Sequence, residues 1–234
     1  VPLHKLFIIV QMIEIPSFNE LIEKSIVNNW DKDALTDFKG ATLQYHDVAR
    51  KIEKLHIMFE SSGVQRGDKI ALCGRNSSNW AVAFLATLTY GAVAVPILHE
   101  FTADQIHNIV NHSEAKLLFV GDYVATIIDQ TKMPDLEGII YIPDYSLVVS
   151  RTDKLTYARE HLNAMFGEKY PKFFRKEHVH YYREQSPEEL ALINYTSGTT
   201  GFSKGVMIPY RAMWSNYDFA MTAVAKHIKK GDNV

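Results

Sequence analysis

Cysteine is nearly absent from this chain. Cys73 is alone among 234 residues, which excludes an internal disulfide framework and a cysteine-based zinc site. It lies inside the apolar stretch "KIALC" and reads as a small buried hydrophobe rather than a nucleophile. A single thiol fits a reducing cytosol. Charge imbalance is also missing. Lys and Arg number 25 against 27 Asp and Glu, a formal net charge of −2, so nothing suggests a generic polyanion partner and any anion site must be built locally. No internal repeat at solenoid periods and no low-complexity segment occurs. With 47% hydrophobic and 22% charged residues the chain is compositionally foldable, as one α/β domain or two smaller ones.

A membrane-spanning run is lacking as well. The apolar core Leu6–Val10 of the N-terminal stretch is too short for a signal segment or a span. Residues 1–16 read as a leader-like extension, and the ordered reading begins at Ser17. From Asn76 to Leu98 no charge appears, which meets the length of a span. Gly91 and Pro96 divide it, however, and the helical spacing of Trp80, Phe84 and Leu88 gives way to "AVAVPI". A helix running into a core strand is expected there.

Three helix starts are signalled. Ser17–Glu20 and Thr102–Gln105 fit the reciprocal capping box, and Ser186-Pro-Glu-Glu189 places proline at a first helical position. Val48, Ile52, Leu55 and Phe59 form one stripe of a helix over 45–59, with Lys51, Glu53 and Lys54 on other faces; Gly63 and Gly67 end it. Helices near 77–90, 102–112 and 122–131 alternate with strands at 92–97, 116–121 and "GIIYI". Short apolar strands without strict alternation predict an α/β fold, a layered, parallel-rich sheet with helices on both faces. "LTYAREHLNAMF" is expected to be helical, and "KYPKFFRKEHVHYYREQ" an irregular connector. "LALINY", a polar knot, the strand "GVMIP" and a helix over 212–228 follow.

The knot, "INYTSGTTGFSKGVMIP" from Ile193 to Pro209, is where chemistry concentrates. Its glycines let backbone N–H groups turn toward one point. Its hydroxyl residues and Lys204 add donors and a mobile cation, the set that an oligophosphate requires. The Walker A pattern does not fit. Ser203 precedes the lysine where glycine is needed, Gly205 follows it, and the next element reads as a strand rather than a helix. A plain hairpin is the bland alternative, but ordinary hairpin loops are shorter.

"YTSGTTGFSKGVM" strongly resembles the phosphate-binding signature of the AMP-forming acyl-adenylating superfamily of acyl-CoA synthetases, luciferases and peptide-synthetase adenylation domains. "EELALINY", "ATLQYHDVARKIEKLHIMFESSGVQRGDKIAL", "LATLTYGAVAVPI" and "TADQIHNIVNHSEAKLLFVGD" resemble that family's other segments, in its order. The similarity runs from about Ser17 to the C-terminus. Two positions depart from the pattern: Ser203 stands where proline is usual before the lysine, and Tyr210 where many members have histidine.

The resemblance implies that residues 17–234 are the N-terminal portion of an adenylation domain, stopping before the acyl pocket and C-terminal lid. It implies an ATP/pyrophosphate cradle made by Thr196, Ser197, Gly198, Thr199, Thr200, Gly201 and Lys204. The parent would join a carboxylic acid to ATP with Mg²⁺, release pyrophosphate, and pass the acyl group to coenzyme A. "GAVAVPI" and "NHSEAKLLFV" look most like long-chain fatty acyl-CoA synthetases. No catalytic residue and no metal ligand is assigned within the chain, which by itself is expected to be inactive. An exposed apolar face where the rest would pack implies self-association. The expected location is cytoplasmic, with peripheral membrane contact left open for the parent.

Three rival readings compete with this one. The chain could be a stand-alone nucleotide or anion binder, or part of a ligase for another class of carboxylic acid. "KFFRKEHVHYYR" interleaves aromatic and basic residues as nucleic-acid binders do, but Glu177 and Glu184 dilute it, so a solvated connector is expected and no nucleic acid. His178 and His180 lack a third ligand nearby, and His107 and His112 are off one helical face.

Overall fold

The computed structural model describes residues 17–196, 204–224 and 227. In chain order, α1 (Phe18–Asn28) leads to a small antiparallel pair, β1 (Asp33–Thr36) and β2 (Thr42–Gln44), and then to α2 (Tyr45–Ser62). β3 (Lys69–Cys73), α3 (Ser78–Tyr90), β4 (Val93–Ile97), α4 (Ala103–Ser113), β5 (Ala115–Val120), α5 (Asp122–Ile127) and β6 (Gly138–Tyr141) make the alternating body. β7 (Leu147–Ser150), α6 (Asp153–Glu160) and α7 (Leu162–Lys169) follow. An irregular strap then reaches β8 (Leu190–Thr196), β9 (Lys204–Pro209) and α8 (Tyr210–Phe219), which ends in a π-helical turn, Ala220–Val224.

The main sheet has the order β7-β6-β5-β3-β4-β8-β9. Its five inner strands are parallel, and β7 and β9 pair antiparallel at the two edges. Alternate residues of the inner strands face two separate cores, so neither face can be polar. Ile70 and Leu72 of β3 join Leu117 and Phe119 of β5 against α2 and α3. Ala71, Cys73, Leu118 and Val120 point the other way, against Ile106, Ile109 and Val110 of α4. The expected α/β fold with helices on both faces is what forms. The uncharged run 76–98 is α3 and β4, and no described helix is long and apolar enough to cross a membrane.

Local chemistry sets the boundaries. Thr102 and Gln105 make the reciprocal box that opens α4. Gly63 and Gly91, at φ 90° and 85°, close α2 and α3 in the left-handed conformation. Gly91 is needed twice over, because the Tyr182 ring lies 2.6 Å from where its Cβ would be.

Three expectations are corrected, and Glu53, placed off the apolar stripe, proves buried. At α1, Ser17 Oγ accepts from the Glu20 amide, but Glu20 pairs with Lys24 instead of reaching back. The reciprocal partner is distant: Glu184 accepts from the Phe18 amide and from Ser17 Oγ. Ser186–Glu189 starts no helix. The Glu189 carboxylate turns back to accept from the Gln185 and Ser186 amides, which closes a turn straight into β8. Glu53 is buried on α2, held by Lys169 Nζ at 2.8 Å and the Tyr170 hydroxyl at 2.8 Å. The strap is no free solvated segment either. Val179 and Tyr181 are buried, and Arg183 pairs with Glu23 at 2.7 Å. Beyond these, the β1–β2 pair and the edge strand β7 were not expected, the single helix expected over "LTYAREHLNAMF" is two, α6 and α7, and some limits shift. α5 stops at Ile127, a 3₁₀ turn covers Gln130–Lys132, and the last helix begins at Tyr210.

Candidate functional site

The polar knot lies at the C-terminal end of β8, as the connection of an antiparallel β8–β9 hairpin. Thr196 and Lys204 are direct cross-strand partners, followed by Tyr195↔Gly205, Asn194↔Val206 and Ile193↔Met207. Of the expected cradle, Thr196 and Lys204 are therefore brought together, both exposed, at the two roots of the loop. Ser197, Gly198, Thr199, Thr200 and Gly201 lie outside the described residues. Directly opposed residues share a sheet face, so Thr196, Lys204, Asn194 and Val206 form one open surface.

The opposite face of the hairpin holds it still. Tyr195 is buried, its hydroxyl 2.7 Å from His112 Nδ1 and its ring edge-on to that imidazole at 89°. Burial pushes its phenol pKa up. Gly205 lies beneath this ring. A Cβ there would sit 2.9 Å from Ile193 Cγ2 and 3.0 Å from Tyr195 Cζ. Sequence reasoning placed Gly205 at the end of the knot but missed this reason for it. The only available signal was the aromatic two residues before Ser197.

The rim that carries Thr196 also carries a crevice. β3, β4, β5, β6 and β8 are parallel, so their C-terminal ends lie on one edge of the sheet. The chain leaves β3 toward β4 on one side and leaves β5 toward β6 on the other. β3 and β5 are neighbours, which makes the gap between their ends a topological switch point, the usual ligand location in open α/β sheets. A cavity of about 480 Å³ occupies it, lined by Gly74, Arg75, His99, Gly121 and Asp122 among others. Gly74 and Gly121 let the strand ends approach: a Cβ on Gly74 would stand 3.1 Å from the Gly121 nitrogen. Arg75 supplies an exposed cation. Asp37 accepts from the Ser78 amide at 2.7 Å, so the first turn of α3 beside the crevice already has its carboxylate.

The other singled-out residues are structural. Cys73 is buried, and desolvation pushes its thiol pKa up to about 12, which removes the thiolate that reactivity requires. Tyr210 belongs to the core. Its side chain is buried, donating to the Leu88 carbonyl at 2.8 Å and accepting from Asn19 Nδ2 at 3.2 Å. His107 Nε2 accepts from the Asp129 amide, and His178 Nδ1 accepts from the Arg175 amide. Among the described residues no group of three or more His, Cys, Asp or Glu could hold a metal ion. No residue here is assigned to Mg²⁺.

Comparison with known proteins bears on the family and the fold. The family model of the AMP-binding enzymes matches residues 22–234. Long chain acyl-CoA synthetase 3 of Arabidopsis thaliana is 27% identical over 164 residues, 70% of this chain and 24% of that protein. The long-chain-fatty-acid–CoA ligase of Escherichia coli O157:H7 is 26% identical over 226 residues, 86% of this chain and 38% of its own length. The solved structure of the anthranilate CoA ligase AuaEII with anthranoyl-AMP superposes with a TM-score of 0.71 at 18% identity, covering 93% of this chain and 39% of that one. The chain thus spans well under half the length of these relatives. With the family model covering nearly all of it and the fold shared, this chain belongs to the family of AMP-binding, adenylate-forming enzymes.

Proposed function

We propose that the protein to which this chain belongs is an AMP-forming acid–thiol ligase whose acid is a long-chain fatty acid. One observation carries the first half. Thr196 pairs with Lys204 at the end of β8, on the rim where the parallel strands end, and the segment joining them in sequence is rich in glycine and hydroxyl residues, in a chain of the AMP-binding family. In the proposed reaction a carboxylate oxygen attacks the α-phosphorus of ATP and the bond to the β-phosphate oxygen breaks. Pyrophosphate leaves with the electron pair. Thr196, the loop 197–201 and Lys204 would meet the charge growing on that leaving group, where fixed donors lower the barrier most. Coenzyme A sulfur then displaces AMP from the acyl carbon. Mg²⁺ would ride on the triphosphate, and no step is assigned to it here. An alternative is a stand-alone nucleotide binder, which would hold ATP without turning it over.

The long-chain assignment rests on the "GAVAVPI" and "NHSEAKLLFV" segments and on the two relatives whose names specify long-chain substrates. The same fold carries an anthranilate ligase, so fold does not select the acid. A panel of acids from acetate to oleate, with benzoate and anthranilate, assayed for acyl-CoA formation by the complete protein, tests the choice. Preference for C14–C18 acids supports it, and preference for an aromatic or short acid replaces it. Exposed Val206 and Met207 on edge strand β9 further support self-association of this chain. Sedimentation velocity tests that, a strictly monomeric boundary speaking against it.

A further inference from the structure

A second concentration of positive charge lies on the helices flanking the sheet, remote in sequence from the β8–β9 loop. Arg50, Lys51 and Lys54 follow one another along α2 at i, i+1 and i+4. Arg159, from the end of α6, joins them across a crevice of about 400 Å³. Asp47 and Asp144 also line it, so the lining carries four cations against two carboxylates.

The carboxylates are already engaged. Asp47 caps α2, accepting from the Gln44 amide at 3.1 Å, and approaches Arg50 at 3.5 Å. Asp144 accepts from the Ser146 amide at 2.9 Å. The other three cations have no carboxylate within ion-pair distance among the described residues, and each is held in place by something neutral. Arg159 Nε donates to the Tyr145 carbonyl at 2.6 Å, which leaves both terminal guanidinium nitrogens open to the crevice. Lys51 Nζ lies 5.7 Å from the centre of the Tyr145 ring. Lys54 Nζ donates to Asn163 Oδ1 at 2.8 Å and lies 5.3 Å from the Phe166 ring centre. Burial first, and then the charges of Arg50, Lys51 and Arg159, lowers the pKa of Lys54. Four like charges confined this closely repel one another, and an anion between them removes the repulsion.

The geometry points to a phosphate-binding site formed by Arg50, Lys51, Lys54 and Arg159 between α2 and the α6–α7 pair, accepting a terminal phosphate monoester. The uncompensated charge of the lining matches a dianion, where a carboxylate would leave half of it unpaired. Guanidinium forks fit tetrahedral phosphate oxygens, and ammonium groups add point charges at any orientation. A soluble phosphate ester and the headgroup of phosphatidic acid share this chemistry.

The test uses the complete protein carrying Lys204→Ala, so that the hairpin loop contributes little. Inorganic phosphate is titrated by calorimetry against chloride at matched ionic strength, in this background and in the added pair Lys54→Gln and Arg159→Gln. Binding that weakens at least tenfold in the pair, with circular dichroism and melting temperature in chloride unchanged, is expected. Equal phosphate affinity in both proteins, or no binding in either, overturns the site. Co-sedimentation with phosphatidylcholine vesicles containing phosphatidic acid then identifies the source. Lys54- and Arg159-dependent pelleting assigns a lipid headgroup, and phosphate binding without pelleting assigns a soluble ester.

Discussion

Replacing Gly205 by alanine offers a test in which the sign alone is informative. Gly205 is in β9, and its backbone is outside the left-handed region that favours glycine. Alanine at such a position ordinarily stabilises a protein by about 0.4–1 kcal/mol, because it restricts the unfolded chain. Here the new Cβ would stand 2.9 Å from Ile193 Cγ2 and 3.0 Å from Tyr195 Cζ. Neither neighbour can retreat easily. Ile193 is β-branched and buried, and Tyr195 is tied to His112 at 2.7 Å. Overpacking of this kind costs about 1–3 kcal/mol, enough to reverse the sign. Urea denaturation of the complete protein followed by circular dichroism measures it. Gly167→Ala is the control, since nothing lies within 4 Å of its Cβ position on α7, and it should gain about 0.5–1 kcal/mol from helix propensity. In the Ile193→Ala background the Gly205→Ala penalty should shrink. A neutral or stabilising Gly205→Ala would refute the claim that Tyr195 and Ile193 set the seat of the hairpin.

Other outcomes follow from buried groups. His56 Nε2 lies 3.0 Å from the Ala86 carbonyl, and burial lowers its pKa from 6.5 to about 4. Because the folded value is the lower one, the stabilisation is complete above pH 6.5 and is lost as pH falls through 4. At about 1.4 kcal/mol per pH unit, the loss is at most about 3 kcal/mol, since the ring is only part-buried. Denaturation at pH 7 and 4.5 should show this for the native protein and a shallower slope for His56→Gln; equal slopes would discount His56. Cys73 should resist a thiol reagent such as Ellman's in the native state and react fully in urea, and rapid native labelling would contradict its burial. Tyr210→Phe removes one buried hydroxyl that bonds both Leu88 and Asn19, and should cost about 1–2 kcal/mol without altering nucleotide affinity. A large loss of ATP binding with normal stability would place Tyr210 in the site after all.

Most of the α/β body was legible because local chemistry set its limits. Thr102 with Gln105 opens α4 as the residues predict, and Gly63 and Gly91 close the helices before β3 and β4. The strand pair around the knot was equally readable from "LALINY" and "GVMIP". What escaped depends on contacts across long sequence distances. Glu184 caps α1 from 166 residues away, and no local pattern announces it. The same missing information made Ser186–Glu189 look like a helix start, although Glu189 folds back to close a turn. Glu53 lies off the apolar stripe of α2, and nothing local tells that α7 and the strap cover it with Lys169 and Tyr170. At the site, residue types pointed to the phosphate chemistry expected of Thr196 and Lys204. The packing of Gly205 under Tyr195, and the crevice between the ends of β3 and β5, exist only after the sheet has ordered its strands.

The role proposed for the Thr196–Lys204 hairpin is to stabilise pyrophosphate as it leaves ATP. Fatty-acid-dependent ATP–pyrophosphate exchange in the complete protein, compared with Lys204→Ala at equal folded fraction, tests it most directly. Removing one charged donor from developing negative charge should slow exchange about 10²–10³-fold, with a smaller change in ATP affinity. Exchange at the native rate in Lys204→Ala, or no exchange with any acid in the native protein, would contradict the account.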